Sequence, residues 1–149
     1  MNEYRPRVAR PGDYDAIAAA IDEWWGRPVL GALPRLFLDH FHHTSLVVDG
    51  PGSPLAFLVG ILSPADERRA YIHFCGVAPG RRRQGLAGLL YGEFFALARA
   101  NGRTLVSAVT APVNAGSISF HQSMGFTVTG PVRDYDGPGR DLVVFHRDL

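Results

Sequence analysis

The chain has 149 residues, of which 15 are basic and 14 acidic, a formal net charge of +1 and one cysteine, and all 15 basic residues are arginine. This length favours one domain with one hydrophobic core, and the near-neutral charge excludes a bulk attraction to nucleic acid or to an anionic membrane. The absence of lysine from the sequence excludes lysine Schiff-base chemistry and a phosphate loop that ends in Gly-Lys-Ser/Thr.

Hydrophobic periodicity and turn residues predict a mixed α/β chain. In chain order the elements are a strand at 5–10, helices at 13–25 and 33–43, strands at 45–49, 55–62 and 69–77, a helix at 84–101, a strand at 105–109, a helix at 114–124, and strands at 126–132 and 142–146. Asp13 is expected to cap the first helix, and Asn101-Gly102 to end the third. We expect a single domain that covers residues 3–149.

Cysteine usage and the N-terminal sequence predict the compartment. Cys75 has no second cysteine with which to form an internal disulfide, so a reducing cytoplasm is expected. The N-terminus lacks the apolar segment of a signal peptide, and no apolar run approaches the roughly 20 residues that a membrane span needs. The histidines at 40, 42 and 43 lack an accompanying carboxylate or cysteine array, so no metal is expected.

The most informative segment, residues 77–88, has the sequence V-A-P-G-R-R-R-Q-G-L-A-G and lies between a predicted strand and the strongest predicted helix. A helix start presents unpaired N–H groups and a partial positive charge. Gly85, Ala87 and Gly88 leave room for a bulky anion, and Arg82 and Arg83 supply forked donors that suit phosphate. The segment therefore predicts a pyrophosphate-binding turn.

Glycine spacing and charge argue against other kinds of binding site at this turn. Gly80 and Gly85 have the spacing of a nucleotide-triphosphate loop, but Leu86 stands where that loop needs lysine, and the spacing of a dinucleotide loop is absent. Nucleic acid is not an expected partner because, apart from residues 81–83, 12 arginines face 14 acidic residues. A solvated arginine turn at the start of a surface helix is the remaining alternative.

A second segment, residues 114–126, has the sequence N-A-G-S-I-S-F-H-Q-S-M-G-F. It has Asn, a small residue three positions later, an aromatic residue three after that, and Gly-Phe at its end. Together with V-x-P followed by R-x-x-G-x-A in residues 77–87, it resembles the GNAT-type N-acetyltransferases. The resemblance implies an α/β fold in which a mixed, mostly antiparallel central sheet with splayed middle strands is flanked by helices.

The resemblance also implies the activity. An acetyl group would move from acetyl-CoA to a primary amine by direct attack, and the acceptor would be a small amine or a peptide. A non-catalytic acyl-CoA-binding or regulatory module of the same fold is the alternative. Members of the family often form dimers, so the resemblance leaves both a monomer and a homodimer open.

The family pattern assigns acetyl-CoA contacts to three groups of residues. The pantetheine arm and thioester carbonyl would meet the backbone of Cys75, Gly76 and Val77. The pyrophosphate would lie on Arg82, Arg83, Gln84, Gly85, Leu86, Ala87 and Gly88. The CoA wall would include Asn114, Ser117 and Phe120, although Asn114 would serve equally well as the cap of its helix.

Two histidines are the candidate catalytic residues. His121 stands where the family usually has the tyrosine that protonates the leaving thiolate, and a protonated histidine could donate in its place. The alternative is that His121 only packs or contacts CoA, while Tyr135 or water donates. His73 matches a position where relatives place the base, against the alternative of a half-buried structural histidine. A covalent route through Cys75 is disfavoured against a buried strand residue.

The acceptor would enter opposite CoA in this architecture. The residues expected to line its path are Trp24, Trp25, Tyr71, Asp134 and Tyr135. Acidic and aromatic walls suit a cationic amine. The alternative is that one tryptophan belongs to the core and that the acidic side chains are solvated.

Overall fold

The computed structural model describes residues 3–149 and, within them, a seven-stranded sheet in the order β1-β2-β3-β4-β5-β7-β6. The strands are β1 (Pro6–Val8), β2 (Leu46–Asp49), β3 (Pro54–Leu62), β4 (Arg69–Val77), β5 (Leu105–Thr110), β6 (Thr127–Val132) and β7 (Leu142–Asp148), and the helices are α1 (Asp13–Trp25), α2 (Leu36–Phe41), α3 (Leu86–Ala100) and α4 (Ala115–Ser123). β4 and β5 are parallel, whereas β1–β2, β2–β3, β5–β7 and β6–β7 are antiparallel. The predicted mixed, mostly antiparallel fold is confirmed.

The chain divides into two compact units, and the first contains residues up to Ile61 together with Ile72–Leu97. Its core brings one face of α1 against β2 and β3, and buries Ile17, Ile21, Val47 and Phe57 almost completely. Ile17 and Ile21 lie four residues apart on α1, so both face the sheet. Along α3 the buried residues Leu86, Leu90 and Phe94 recur every four positions, as the amphipathic prediction requires.

The second unit contains Leu62–Tyr71 and Ala98–Leu149. In this unit β4 pairs with β5 over three residue pairs only, Arg69–Tyr71 with Leu105–Ser107. β4 has nine residues in all and β5 has six. β4 therefore continues past this ladder, and its residues from Ile72 onward belong to the first unit. Phe145 of β7 lies in the core of the second unit and is fully buried.

The second helix is shorter than predicted. The sequence indicates residues 33–43, but α2 covers Leu36–Phe41, with 3₁₀ turns at Leu30–Ala32 and His42–Thr44. Pro34 explains the late start, because proline disfavours the helical conformation of the residue before it, and Leu33 has φ −133° and ψ 69°.

The prediction that Asp13 is the N-cap of α1 is wrong. Gly12 occupies the cap position, and Asp13 is the first helical residue. The Asp13 carboxylate accepts from Arg10 N at 2.7 Å and pairs with both outer nitrogens of Arg7, at 2.8 and 2.9 Å. Arg7 also binds Asp49 of β2, so its guanidinium holds the start of α1, β1 and β2 together.

No helix among residues 3–149 is both long and apolar enough to cross a lipid bilayer.

Candidate active site

The arginine-rich turn lies in the first unit, where β4 leads through a 3₁₀ turn, Pro79–Arg81, into α3. Arg83 and Gly85 have φ of +64° and +79°, in the left-handed region, so α3 begins at Leu86 and not at residue 84 as predicted. Leu89 N donates to Gly85 O at 3.0 Å, and the amides before it belong to the open first turn. An exposed turn of this kind can accept an anion at the helix start.

Arg82 differs from its expected orientation. Its outer nitrogen donates to Trp24 O at 2.5 Å, and its Nε donates to Val77 O at 3.4 Å. The guanidinium thus joins the last turn of α1 to the end of β4. All three arginines at 81–83 are exposed, and the guanidinium of Arg82 ties this turn to the rest of the first unit.

The end of β4 is covered by aromatic rings. Gly76 is buried, and a Cβ built there would lie 2.8 Å from ring carbons of both Phe57 and Trp25. Burial raises the pKa of the Cys75 thiol to about 12. The thiolate needed for a covalent acyl-cysteine is therefore strongly disfavoured, and Cys75 fits the alternative of a structural strand residue, here half-buried.

His73 is half-buried on β4 in the first unit. Its Nε2 lies 2.7 Å from Ala32 O, and because a carbonyl only accepts, Nε2 is the protonated nitrogen. The ring is stacked on Phe37 with centroids 4.0 Å apart. Burial lowers the pKa of His73, so the neutral imidazole, with Nδ1 as its basic atom, dominates at neutral pH.

The second unit holds the residues of the family's second segment. Asn114 caps α4, because its Oδ1 accepts from Ser117 N at 3.1 Å, and its amide nitrogen donates to Thr110 Oγ1 at 3.2 Å. Asn114 is exposed, whereas Ser117 and Phe120 are half-buried on α4. The cap predicted as the structural alternative is present, so Asn114 holds the start of this helix.

The expectation that a protonated His121 is the acid disagrees with the structure. Its side chain is 5% exposed, its ring is stacked on Phe145 at 3.9 Å and 5°, and Phe126 meets it edge-on at 5.0 Å. Nδ1 donates to Ser117 O at 2.7 Å. Burial lowers the pKa of His121, because an apolar surrounding disfavours the imidazolium. The packing alternative fits this geometry.

The residues expected along the acceptor path have different surroundings. Trp24 is 9% exposed and belongs to the core beside Phe57, which fits the alternative that one of the two tryptophans is a core residue. Trp25 is half-buried against Phe74, with ring centroids 4.9 Å apart. The nearby acidic residue Asp22 is also structural, because its Oδ1 accepts from Val29 N.

In the second unit, Tyr71 and Tyr135 are close enough to interact electrostatically. Burial raises the pKa of the Tyr71 hydroxyl, and Tyr135 and Asp136 raise it further. Tyr135 is 51% exposed on the turn between β6 and β7. Asp134 shapes that turn, with φ +54°, by accepting from Gly139 N at 2.8 Å.

The predicted site residues fall into both units. The first holds Trp24, Trp25, His73, Cys75, Gly76, Val77, Arg82, Arg83, Gln84, Gly85, Leu86, Ala87 and Gly88, and the second holds Tyr71, Asn114, Ser117, Phe120, His121, Asp134 and Tyr135. Sequence reasoning missed Tyr4, whose hydroxyl donates to Gln84 Oε1 at 2.5 Å. A separation of 80 residues leaves no local pattern from which that contact could be inferred. Within residues 3–149, no group of three or more ligand-type side chains could hold a metal.

Comparison with known proteins identifies related sequences and folds. The sequence profile described as "Acetyltransferase (GNAT) family" matches residues 12–126. A search of curated proteins finds no match. Among solved structures, Ard1 from Thermoplasma volcanium has a TM-score of 0.83 at 21% identity, covering 99% of both chains.

Two further solved structures have the same fold. The ribosomal-protein-S18-alanine N-acetyltransferase from Escherichia coli has a TM-score of 0.75 at 17% identity, covering 98% of this chain and 94% of that one. The N-acetylglutamate synthase from Neisseria gonorrhoeae, complexed with coenzyme A and N-acetyl-glutamate, has a TM-score of 0.82 at 20% identity. That match covers 100% of this chain and 36% of the synthase.

Proposed function

Because the chain belongs to the acetyltransferase (GNAT) family, we propose that it acetylates a primary amine by direct attack on acetyl-CoA. Family membership supports N-acetyl transfer from acetyl-CoA as the activity. The enzyme class predicted from the sequence is thereby confirmed. The non-catalytic alternative is not favoured. The acceptor and the residue roles are the proposed part.

The observation that carries this proposal is the left-handed turn before α3. Arg83 and Gly85 both have positive φ, and α3 begins immediately afterwards at Leu86. The turn exposes Arg81 and Arg83 beside a helix start, a donor set whose chemistry fits a diphosphate. We assign the CoA pyrophosphate to this turn and the pantetheine arm to the backbone of residues 75–77.

Acetyl-CoA supplies a thioester whose carbonyl carbon accepts the nucleophile. In the proposed reaction, the neutral amine forms a C–N bond with that carbon, the C–S bond breaks, and the electron pair leaves on the CoA sulfur. One proton must leave the amine nitrogen and one must reach the thiolate. A backbone N–H among residues 75–77 would stabilise the developing oxyanion.

His73 is the proposed base. Its lowered pKa keeps it neutral at neutral pH, and with Nε2 donating to Ala32 O, its Nδ1 is the atom that accepts the proton, directly or through water. For the acid we propose Tyr135 or water, because the burial of His121 opposes its protonated form. The exposure of Tyr135, at 51%, supports this assignment.

We propose that the acceptor is a small cationic amine or a peptide N-terminus that loses its proton before attack. Tyr71, Asp134 and Tyr135 are the proposed acceptor contacts, and all three belong to the second unit. Acidic and aromatic groups attract an ammonium ion by charge and by cation–π contact. Trp24 is omitted from this set because it belongs to the core.

Binding and turnover test the proposal separately. Isothermal titration of the protein with CoA is expected to give saturable binding, and a panel of amines with acetyl-CoA is expected to release free CoA thiol. No binding of CoA at millimolar concentration would overturn the proposal. Binding without turnover on the whole panel would instead favour the non-catalytic module.

His73→Gln tests the base, with His42→Gln as its matched control. His42 Nδ1 lies 2.9 Å from Leu38 O, so the control also removes a ring bonded to a backbone carbonyl. We expect His73→Gln to lower kcat about 10- to 1,000-fold with little change in KM for acetyl-CoA. Equal kcat in the two variants would exclude His73 as the base.

Three broader expectations remain proposals. A single acetyltransferase domain over residues 3–149 is supported by β4 and α3, each of which contributes residues to both units. A cytoplasmic location is supported by the free thiol of Cys75. A homodimer would be detected by sedimentation velocity over a range of protein concentrations.

A further inference from the structure

We infer that Tyr4 is a positioning residue for the turn that binds the CoA pyrophosphate. This inference rests on the proposed function, and it concerns a residue outside both family segments. Tyr4 precedes β1 and belongs to the first unit, as does the turn. Its hydroxyl donates to Gln84 Oε1 at 2.5 Å.

The turn needs support because residues 83–85, between the 3₁₀ turn at Pro79–Arg81 and α3, lie outside both helical segments. Residues 79–85 are all exposed, and they lie outside α3. Arg83 has a left-handed backbone, which is unfavourable for a residue with a side chain. A turn of this kind loses conformational freedom when an anion binds, so contacts that order it beforehand strengthen binding.

Two side chains hold the turn on either side of Arg83. Arg82 before it reaches Trp24 O and Val77 O, and Gln84 after it accepts the Tyr4 hydroxyl. The left-handed Arg83 therefore stands between two anchored neighbours. Arg82 is fixed to α1 and β4, whereas Gln84 is fixed to the segment that leads into β1.

The chemistry of the contact makes Tyr4 act through Gln84 and not on the anion itself. A tyrosine hydroxyl has one proton, and here Gln84 accepts it. An amide whose oxygen is engaged in this way has a restricted side chain, and that side chain ties position 84 to the segment before β1. Loss of the hydroxyl would leave the turn more variable in the absence of CoA.

Titration of Tyr4→Phe with CoA tests the inference. One exposed hydrogen bond of this kind is expected to change CoA affinity about three- to tenfold, seen as a higher Kd. Tyr14→Phe is the matched control, because Tyr14 is also in the first unit and its hydroxyl donates to Leu33 O at 2.9 Å, away from the turn. The control is expected to bind CoA with the wild-type Kd.

A double-mutant cycle separates positioning from a general loss of structure. If Tyr4 acts through Gln84, Tyr4→Phe combined with Gln84→Ala binds CoA no more weakly than Gln84→Ala alone. Urea unfolding of the ligand-free variants shows whether Tyr4→Phe has also altered the fold. A wild-type Kd for Tyr4→Phe, or additive losses in the double variant, would overturn the inference. No CoA binding by the unaltered protein would overturn the proposed function instead.

Discussion

At the scale of single residues, the most informative side chain is His121, because its surroundings decide its protonation. The ring lies between Phe145 and Phe126, and Nδ1 donates to a backbone carbonyl of its own helix. Such a site stabilises a neutral aromatic ring. His121, at a motif position that suggests an acid, is thus packed as a neutral ring in the core of the second unit.

We predict that His121→Phe retains acetyl transfer. Phenylalanine keeps the stack on Phe145 and loses one hydrogen bond to Ser117 O, a cost of about 1 kcal/mol in the free energy of unfolding. His121→Ala removes the ring and is expected to cost about 2–4 kcal/mol. The measurements are kcat against pH on an identified acceptor and urea unfolding. A hundredfold loss of kcat in a folded His121→Phe would restore histidine as the acid.

Cys75 provides the second prediction at this scale. With its pKa raised to about 12, almost no thiolate exists at neutral pH. Cys75→Ala is therefore expected to transfer acetyl groups at a rate close to that of the unaltered protein. The intact mass of the protein during turnover should show no acetyl adduct on Cys75. A trapped acetyl-cysteine would contradict the direct-attack mechanism.

At the scale of elements, the end of β4 depends on the absence of a side chain at Gly76. Rings of Phe57 and Trp25 lie where a Cβ would stand, both from the first unit. Neither ring can move freely, because Phe57 is fully buried and Trp25 packs against Phe74. The strand proposed to contact the thioester is thus held by aromatic packing against its backbone.

Gly76→Ala is expected to lower the free energy of unfolding by about 1–3 kcal/mol, because it overpacks this region. Gly12→Ala is the control, since it has φ −66° and nothing lies within 4 Å of its built Cβ. Chemical unfolding of the two variants gives the comparison. Equal stability of both would show that the rings over β4 adapt at no cost.

The accuracy of the sequence predictions depended on whether local chemistry or distant contacts decide a feature. The bounds of α4 follow from Asn114 and from the left-handed Gly125, so they were predicted to within one residue at each end. The predicted start of α2 at residue 33 is wrong because Pro34 disfavours the helical conformation at Leu33. The hydrogen bond from Arg82 to Trp24 O joins residues 58 positions apart, so no local sequence pattern predicts it.

The same distinction applies to the candidate site. A turn between β4 and α3 could be predicted because glycine spacing and a helix start are local features, and the pyrophosphate assigned to it stays a prediction. The burial of Trp24 and His121 could not, since each depends on rings contributed by distant strands. The role of a titratable side chain in a motif can be assigned only when its neighbours in the folded protein are known.

At the scale of the whole molecule, the same buried groups determine how stability varies with acidity. Burial lowers the pKa of both His73 and His121, so at pH values just below 6.5 the unfolded chain binds more protons than the folded chain. The free energy of unfolding therefore falls as the pH drops through about 6.5. The slope is at most about 1.4 kcal/mol per pH unit for each histidine.

Urea unfolding at pH 8, 6.5 and 5 measures this dependence, and His121→Phe should flatten it because one of the two groups is gone. A second loss of unfolding free energy is expected below about pH 4. Pairing with Arg7 lowers the pKa of Asp13 and Asp49 in the folded protein, so both carboxylates are protonated in the unfolded chain first. Arg7→Gln should weaken that second step and leave the histidine step intact. An identical acid slope in His121→Phe would mean that His121 ionises in the folded protein as readily as in water, and its place among Phe126 and Phe145 argues against that.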